Sequence, residues 1–182
     1  MAKANTTTAI MEFLMTQNEL VSNPVQDLVL ASEVACFLTD AGLTLATAES
    51  CTGGAIGALL TALPGSSNWF KGGVICYSNS SKINLLGVGS RVIDEYGAVS
   101  QEVVEAMAVG GCAAMQTDFC VAVSGIAGPG GGTNEKPVGS VWIAWSSSGG
   151  MVESQLYQFS GDRREVQSIA VSMALKGIIN RL

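Results

Sequence analysis

Glu49, Ser50, Cys51 and Thr52 stand in a row ahead of Gly53 and Gly54. Three of those four side chains carry a hydroxyl or thiol that can attack an electrophilic carbon, and an apolar helix-like run follows at once. A strand-to-helix turn with two glycines can aim the backbone N–H groups of Cys51 to Gly54 at one point. A helix N-terminus there favours a phosphate or a tetrahedral oxyanion. The plainer reading is a helix start in which Ser50 or Thr52 satisfies its own backbone. Neither GxxxxGK[ST] nor GxGxxG occurs in the chain, so this is not one of the standard phosphate loops.

Activation of any nucleophile here is constrained, because the chain contains no histidine. Ser-His-Asp and Cys-His arrangements are therefore closed to a single chain. The remaining bases are lysine and carboxylates, with tyrosine as a proton relay. Lys82 follows Tyr77 by five residues with a helical turn starting between them, so both can reach the end of the first strand. A solvated lysine titrates near 10.4 and is a poor base at pH 7. Desolvation against an apolar wall lowers it by a few units, as in Ser–Lys hydrolases. A surface lysine is the plainer alternative.

The elements that must position these residues are legible as alternating patterns. Residues 1–23 read as an extension with helical character. Ser22-Asn23-Pro24 starts a helix on which Leu28, Val29, Ser32, Ala35, Cys36 and Thr39 recur at helical spacing, closed by Gly42. A strand over 43–48, a helix over 54–63, a strand over 72–77 and a helix over 80–86 follow. Ser100 caps a helix to about Met115, and 118–124 is a short buried strand. The Gly-rich segment 125–139 is too long for a plain turn, which marks it as functional. Residues 140–146 and 152–159 form a hairpin, and 162–182 an amphipathic helix with Val166, Ile169, Ala170, Met173 and Ile178 inward. The pattern predicts an α/β fold, a three-layer α/β/α sandwich with a mixed, largely parallel sheet and a late antiparallel hairpin.

Bulk properties exclude several function classes. The chain has 182 residues and a net charge of −6, with scattered Lys and Arg, which argues against nucleic acid or an anionic membrane as partner. No apolar run is long enough to span a bilayer and no signal-peptide pattern opens the chain, so a cytoplasmic protein is expected. Five cysteines, mostly inside apolar runs, read as buried thiols. Without histidine or a CxxC pair, no metal site is expected. A homodimer is the expectation for a small enzyme of this kind.

Taken in order, AESCTGG, YSNSSKINLLGV, AVSQEVVEAMA, SGIAGPGGG, EKPVGSVWIAW and GDR resemble the CinA C-terminal domain family, the nicotinamide-mononucleotide deamidases or PncC-type amidohydrolases. The resemblance covers residues 24–182. The larger CinA proteins carry a preceding nucleotide-pyrophosphatase domain, and this chain looks like the stand-alone form. The resemblance implies hydrolysis of the carboxamide of nicotinamide mononucleotide to nicotinate mononucleotide and ammonia, without metal or organic cofactor. It implies Ser50 as nucleophile and Tyr77 and Lys82 as its activating partners. Cys51, Thr52, Gly53, Gly54, Asn79, Ser124 and Gly125 would surround the nucleotide. Arg163 would hold its phosphate, or else pair with Asp162 or Glu165 at a helix start. Cys51 is read as a packing residue that lends its N–H. The competing function is a nucleotide-binding or interaction module that uses the same pocket without turnover.

Overall fold

The computed structural model describes residues 24–181. The expected N-terminal extension, residues 1–23, lies outside the described residues, as does Leu182. In chain order the elements are α1 (Pro24–Ala41), β1 (Leu45–Glu49), α2 (Ala55–Thr61), a 3-10 turn (Ser66–Asn68), β2 (Phe70–Ile75), α3 (Asn79–Leu86) and α4 (Ser90–Tyr96). Then come α5 (Gln101–Met115), β3 (Phe119–Gly125), β4 (Ser140–Ser147), β5 (Val152–Gln158) and α6 (Arg163–Ile179). The sheet has the order β2-β1-β3-β4-β5. β1 is parallel to β2 and to β3, while β3–β4 and β4–β5 are antiparallel. This is the expected mixed sheet covered on both faces.

Every residue of β1 is buried, as a central strand between two helical layers requires. Alternation sorts its side chains. Leu45 joins the layer of α1, α2 and α6 with Val121, Val123, Ile143 and Trp145. Ala46 and Ala48 join the layer of α5 with Cys120, Ala122 and Ala144. That second face is made of small side chains, so α5 lies close to the sheet. Gly110 and Gly111 bring it closer still. A Cβ on Gly110 would lie 1.9 Å from the Leu86 carbonyl oxygen, and one on Gly111 2.3 Å from Cys120 Sγ. The Gly110 contact seats the end of α3 on α5, and α3 carries Lys82.

Several expectations shift. On α1 the buried residues are Asp27, Leu30, Ala31, Val34 and Leu38, while Leu28, Val29, Ser32 and Cys36 are exposed. The helix is apolar on both sides, so spacing alone did not select the inner face. Its orientation is set instead by Asp27, which accepts a hydrogen bond from Ser172 of α6. α6 is buried on more than one side, with Val171, Ala174 and Leu175 joining the expected residues, because it lies between the sheet and α1. β2 begins at Phe70 and ends at Ile75, two residues earlier than expected at each end. α4 was not anticipated: seven residues between Gly89 and Gly97 are too few to show a helical period.

Candidate active site

The site lies at the carboxyl ends of β1, β2 and β3, where ligands sit in open α/β sheets. β1 ends at Glu49, whose carboxylate is turned into the start of α2. Oε2 accepts from Thr52 Oγ1 at 2.8 Å, Gly54 N at 3.0 Å and Ile56 N at 3.1 Å, and Oε1 accepts from Gly57 N at 2.9 Å. The positive end of α2 is thus satisfied by the protein's own anion. Gly54 makes this possible with φ +99°, which turns its N–H toward the carboxylate in a conformation that favours glycine.

This corrects the expectation that the amides of Cys51 to Gly54 converge on a substrate oxyanion. Gly54 N–H is engaged by Glu49, and Gly53 N–H donates to the Ser50 carbonyl at 3.1 Å. Among the bonds of the described residues, those of this turn leave the N–H groups of Cys51 and Thr52 outside the backbone network. Thr52 is an internal hydroxyl donor to Glu49.

Ser50 follows Glu49 directly, and its N–H donates to the Val123 carbonyl of β3 at 3.0 Å. Its side chain is therefore carried on sheet geometry. Lys82 Nζ donates to Ser50 Oγ at 3.0 Å and to the Cys76 carbonyl oxygen at 3.0 Å. Lys82 is 2% exposed, and among the described residues no carboxylate forms an ion pair with it. Burial pulls its pKa below the ordinary lysine value, with the neighbouring Cys76 and Cys51 sulfurs opposing the shift. α3 aims this side chain from a tight start. Ser78 Oγ accepts from Ser81 N at 3.1 Å and Ser81 Oγ accepts from Ser78 N at 3.0 Å, a reciprocal cap.

The neighbouring thiol is set apart by burial, which pushes Cys51 up to about 12. It stays protonated at any physiological pH and is a poor nucleophile.

Tyr77 does not join the Ser50–Lys82 pair. Its ring is 60% exposed, and its hydroxyl accepts a hydrogen bond from Arg163 Nη2 at 2.9 Å. No hydrogen bond joins it to Ser50 or Lys82. Tyr77 follows the residue whose carbonyl receives Lys82, so its side chain alternates outward. Arg163 Nη1 donates to the Gly128 carbonyl at 3.0 Å, which ties α6, the β2–α3 connection and the Gly-rich loop together. Neither Asp162 nor Glu165 pairs with Arg163. Those two form the reciprocal cap of α6, through Glu165 N to Asp162 Oδ1 at 3.0 Å and Asp162 N to Glu165 Oε2 at 2.6 Å.

Asn79 is exposed as the first residue of α3, beside Tyr77. Ser124 is buried and donates to the Ala98 carbonyl at 2.7 Å. It therefore fastens the α4–α5 connection to β3. Gly125 lies against β4: a Cβ there would meet Val141 Cγ2 at 2.7 Å and the Ser140 carbonyl oxygen at 2.9 Å.

Sequence reasoning missed two residues. Glu49 read as the end of a strand, though an acidic residue shortly before a helix with glycines at 54 and 57 is a signal for such a cap. Gln167, whose Nε2 donates to the Cys51 carbonyl at 2.7 Å, is 116 positions away in sequence and carries no local signal. Among the described residues no group of His, Cys, Asp and Glu is placed to hold a metal ion, and no helix is long and apolar enough to cross a membrane.

The model of the CinA C-terminal domain matches residues 27–182. The chain is 49% identical over 150 residues to a nicotinamide-nucleotide amidohydrolase PncC of Pseudomonas putida, covering 82% of this chain and 93% of that protein. It is 48% identical over 156 residues to a CinA-like protein of Synechocystis sp., covering 84% of this chain but 37% of that protein. The chain thus spans little more than a third of such longer relatives. Among solved structures, the competence/damage inducible protein CihA of Agrobacterium tumefaciens superposes with a TM-score of 0.83 at 39% identity. That match covers 85% of this chain and 94% of the other. The competence damage-inducible protein A of Klebsiella pneumoniae gives 0.82 at 37%, covering 85% and 96%.

Proposed function

The chain belongs to the CinA C-terminal domain family, and from that premise we propose that it is an amidohydrolase acting on nicotinamide mononucleotide. The products would be nicotinate mononucleotide and ammonia. The observation that carries this reading is the buried contact of 3.0 Å between Lys82 Nζ and Ser50 Oγ, and the Pseudomonas putida relative supports the substrate.

Lys82 in its neutral form accepts the Ser50 proton as Oγ attacks the carboxamide carbon. The tetrahedral oxyanion takes the N–H groups of Cys51 and Thr52. The C–N bond then breaks, and the Lys82 ammonium returns its proton to the departing nitrogen, which leaves as ammonia. Water adds to the acyl-Ser50 intermediate, again deprotonated by Lys82, and releases the carboxylate product. Neither step requires a metal.

Arg163 and Tyr77 stand at the mouth of this arrangement, and the proposal gives them the phosphate. Arg163 is the cation close enough to act on Cys51 from outside the buried pair, and its planar fork suits a phosphate. Asn79, exposed at the start of α3, is offered to the ribose.

Purified protein incubated with nicotinamide mononucleotide should release ammonia and nicotinate mononucleotide in equal amounts. Saturable binding of the nucleotide without ammonia release would replace this reading with a non-catalytic nucleotide-binding module.

A further inference from the structure

A second reactive arrangement lies at the other end of the sheet. Cys120 sits near the start of β3, level with Ala46, whereas Glu49 is level with Val123. At about 3.3 Å per residue, Cys120 is about 10 Å from the Ser50 end of the sheet. Cys112, on α5 above it, donates from Sγ to the Ser146 carbonyl at 3.5 Å. Ser146 is the direct cross-strand partner of Cys120. Cys120 Sγ lies against Gly111, the residue before Cys112, where an added Cβ would come within 2.3 Å of it, so both sulfurs lie over one β3–β4 rung.

The sulfur on α5 faces a cleft of about 640 Å³, lined by Cys112, Gln116, Thr117, Asp118, Ser146 and Ser148 among others. Thr117 supplies an independent sign that the cleft receives something. Its side chain is 4% exposed, yet Oγ1 has no hydrogen-bond partner. A buried hydroxyl left in that state is costly unless a further group completes it.

We propose that Cys112 and Cys120 form a peroxide-reactive dithiol separate from the Ser50–Lys82 site, with Cys112 as the attacking thiolate and Cys120 as the resolving thiol. The oxidant is a hydroperoxide entering the cleft. The Cys112 sulfur attacks its distal oxygen, the O–O bond breaks, and the alcohol or water leaves with the proton. Cys112 becomes a sulfenic acid. The Cys120 sulfur then displaces that hydroxyl as water, using its own thiol proton, and a disulfide joins α5 to β3.

The environments of the two thiols differ in the required direction. The adjoining Cys120 side chain, aided by Ser146, lowers Cys112 to about 7 against the opposing effect of burial. Cys120 is raised well above the usual thiol range by the adjoining Cys112 side chain and by burial. A thiol at about 7 is close to half thiolate at neutral pH, against a few per cent for free cysteine.

The test uses the full chain with hydrogen peroxide as probe, followed by alkylation under unfolding conditions and peptide mapping. The expected result is loss of alkylation at Cys112 and Cys120 together, with a linked 112–120 peptide in chains that run as single polypeptides without reductant. In Cys120→Ala, dimedone should trap the sulfenic acid on Cys112, and in Cys112→Ala that signal should fall by about tenfold or more. The exposed Cys36 is the internal reference. Oxidation of Cys36 while Cys112 and Cys120 in the unvaried chain stay fully alkylatable overturns the proposal, whatever the variants do. So does a link that forms only after unfolding.

Discussion

Lys82 reaches Ser50 from a different strand connection and its Nζ meets Ser50 Oγ at 3.0 Å, with the side chain almost fully buried. Its other polar contact is a neutral carbonyl, that of Cys76. A charge buried against two neutral oxygens is poorly compensated, and the site relieves this by favouring the neutral amine. The same neutral amine is what a serine nucleophile needs beside it. In the proposed mechanism burial of Lys82 takes the place of the histidine that the chain lacks.

The pH dependence follows with a definite sign. Because burial lowers the Lys82 pKa, the neutral fraction grows as pH rises and saturates below the value near 10.4 of a free lysine. The kcat/KM for deamidation should climb about tenfold per pH unit on the acid side and level off short of that value. Lys82→Arg cannot give up its proton in this range and should lose about 10²- to 10⁴-fold, the usual worth of a general base. An arginine variant that turns over at the unaltered rate removes Lys82 from the mechanism.

Ser50 and Cys51 are adjacent nucleophiles with opposite expectations. Ser50→Ala should lose activity by about 10³-fold or more while still binding the nucleotide, since covalent catalysis disappears. Cys51→Ala should retain most of its activity. Its thiol is held protonated by burial, at about 12, and the proposed contribution of that residue is its N–H. Paired assays of the two variants, with circular dichroism as a check on folding, settle the assignment. An inactive but folded Cys51→Ala would reopen the thiol route.

The legible part of this architecture is what short-range pattern encodes. The order of the strands and of every helix but α4, the Ser100 cap and the α6 start appear in sequence because a cap or an alternation needs only a few neighbours. Lys82 and Tyr77 were both placed near the site by proximity to a strand end, yet only Lys82 turns inward. That difference depends on where α3 begins, fixed by the Ser78–Ser81 cap. The inner face of α1 was illegible because both sides are apolar, and Asp27–Ser172 decides it across 145 positions. Glu49 was hidden for a related reason: a carboxylate at a strand end becomes a helix cap only after the β1–α2 turn has closed.

Arg163 and Tyr77 should separate binding from chemistry. Arg163 holds both the Tyr77 hydroxyl and the Gly128 carbonyl, so Arg163→Ala loosens the mouth without touching Ser50 or Lys82. The expected effect is a rise in KM of about ten- to a hundredfold, with kcat changed much less, consistent with loss of one charge-assisted phosphate contact. Tyr77→Phe should behave the same way, more weakly. Loss of kcat with KM intact in Tyr77→Phe would instead make it the proton relay that the family resemblance implies.

Glu49 supports the site from beneath, and its replacement should be felt in stability before catalysis. Its carboxylate takes four donors, three of them on Oε2 and the Gly57 N–H on Oε1. In Glu49→Gln the amide oxygen can keep the three-donor position, but the NH₂ group then faces the Gly57 N–H. One buried donor is left facing another, the charge at the start of α2 is lost, and the remaining bonds become neutral ones. At about 1–3 kcal/mol for an unsatisfied buried group and somewhat less for the helix terminus, the variant should lose about 2–4 kcal/mol. For a chain of this size each kcal/mol is worth about 2–4 °C in Tm. Glu49→Ala leaves all four donors without the carboxylate and should cost more than Glu49→Gln. Urea unfolding with matched m-values is the measurement, because a changed m would signal a loosened native state rather than a lost cap. Ser50 is the next residue along the chain, so kcat should fall with stability in both variants. A glutamine variant within about 0.5 kcal/mol of the parent would mean that the carboxylate charge is not what holds the β1–α2 turn in place.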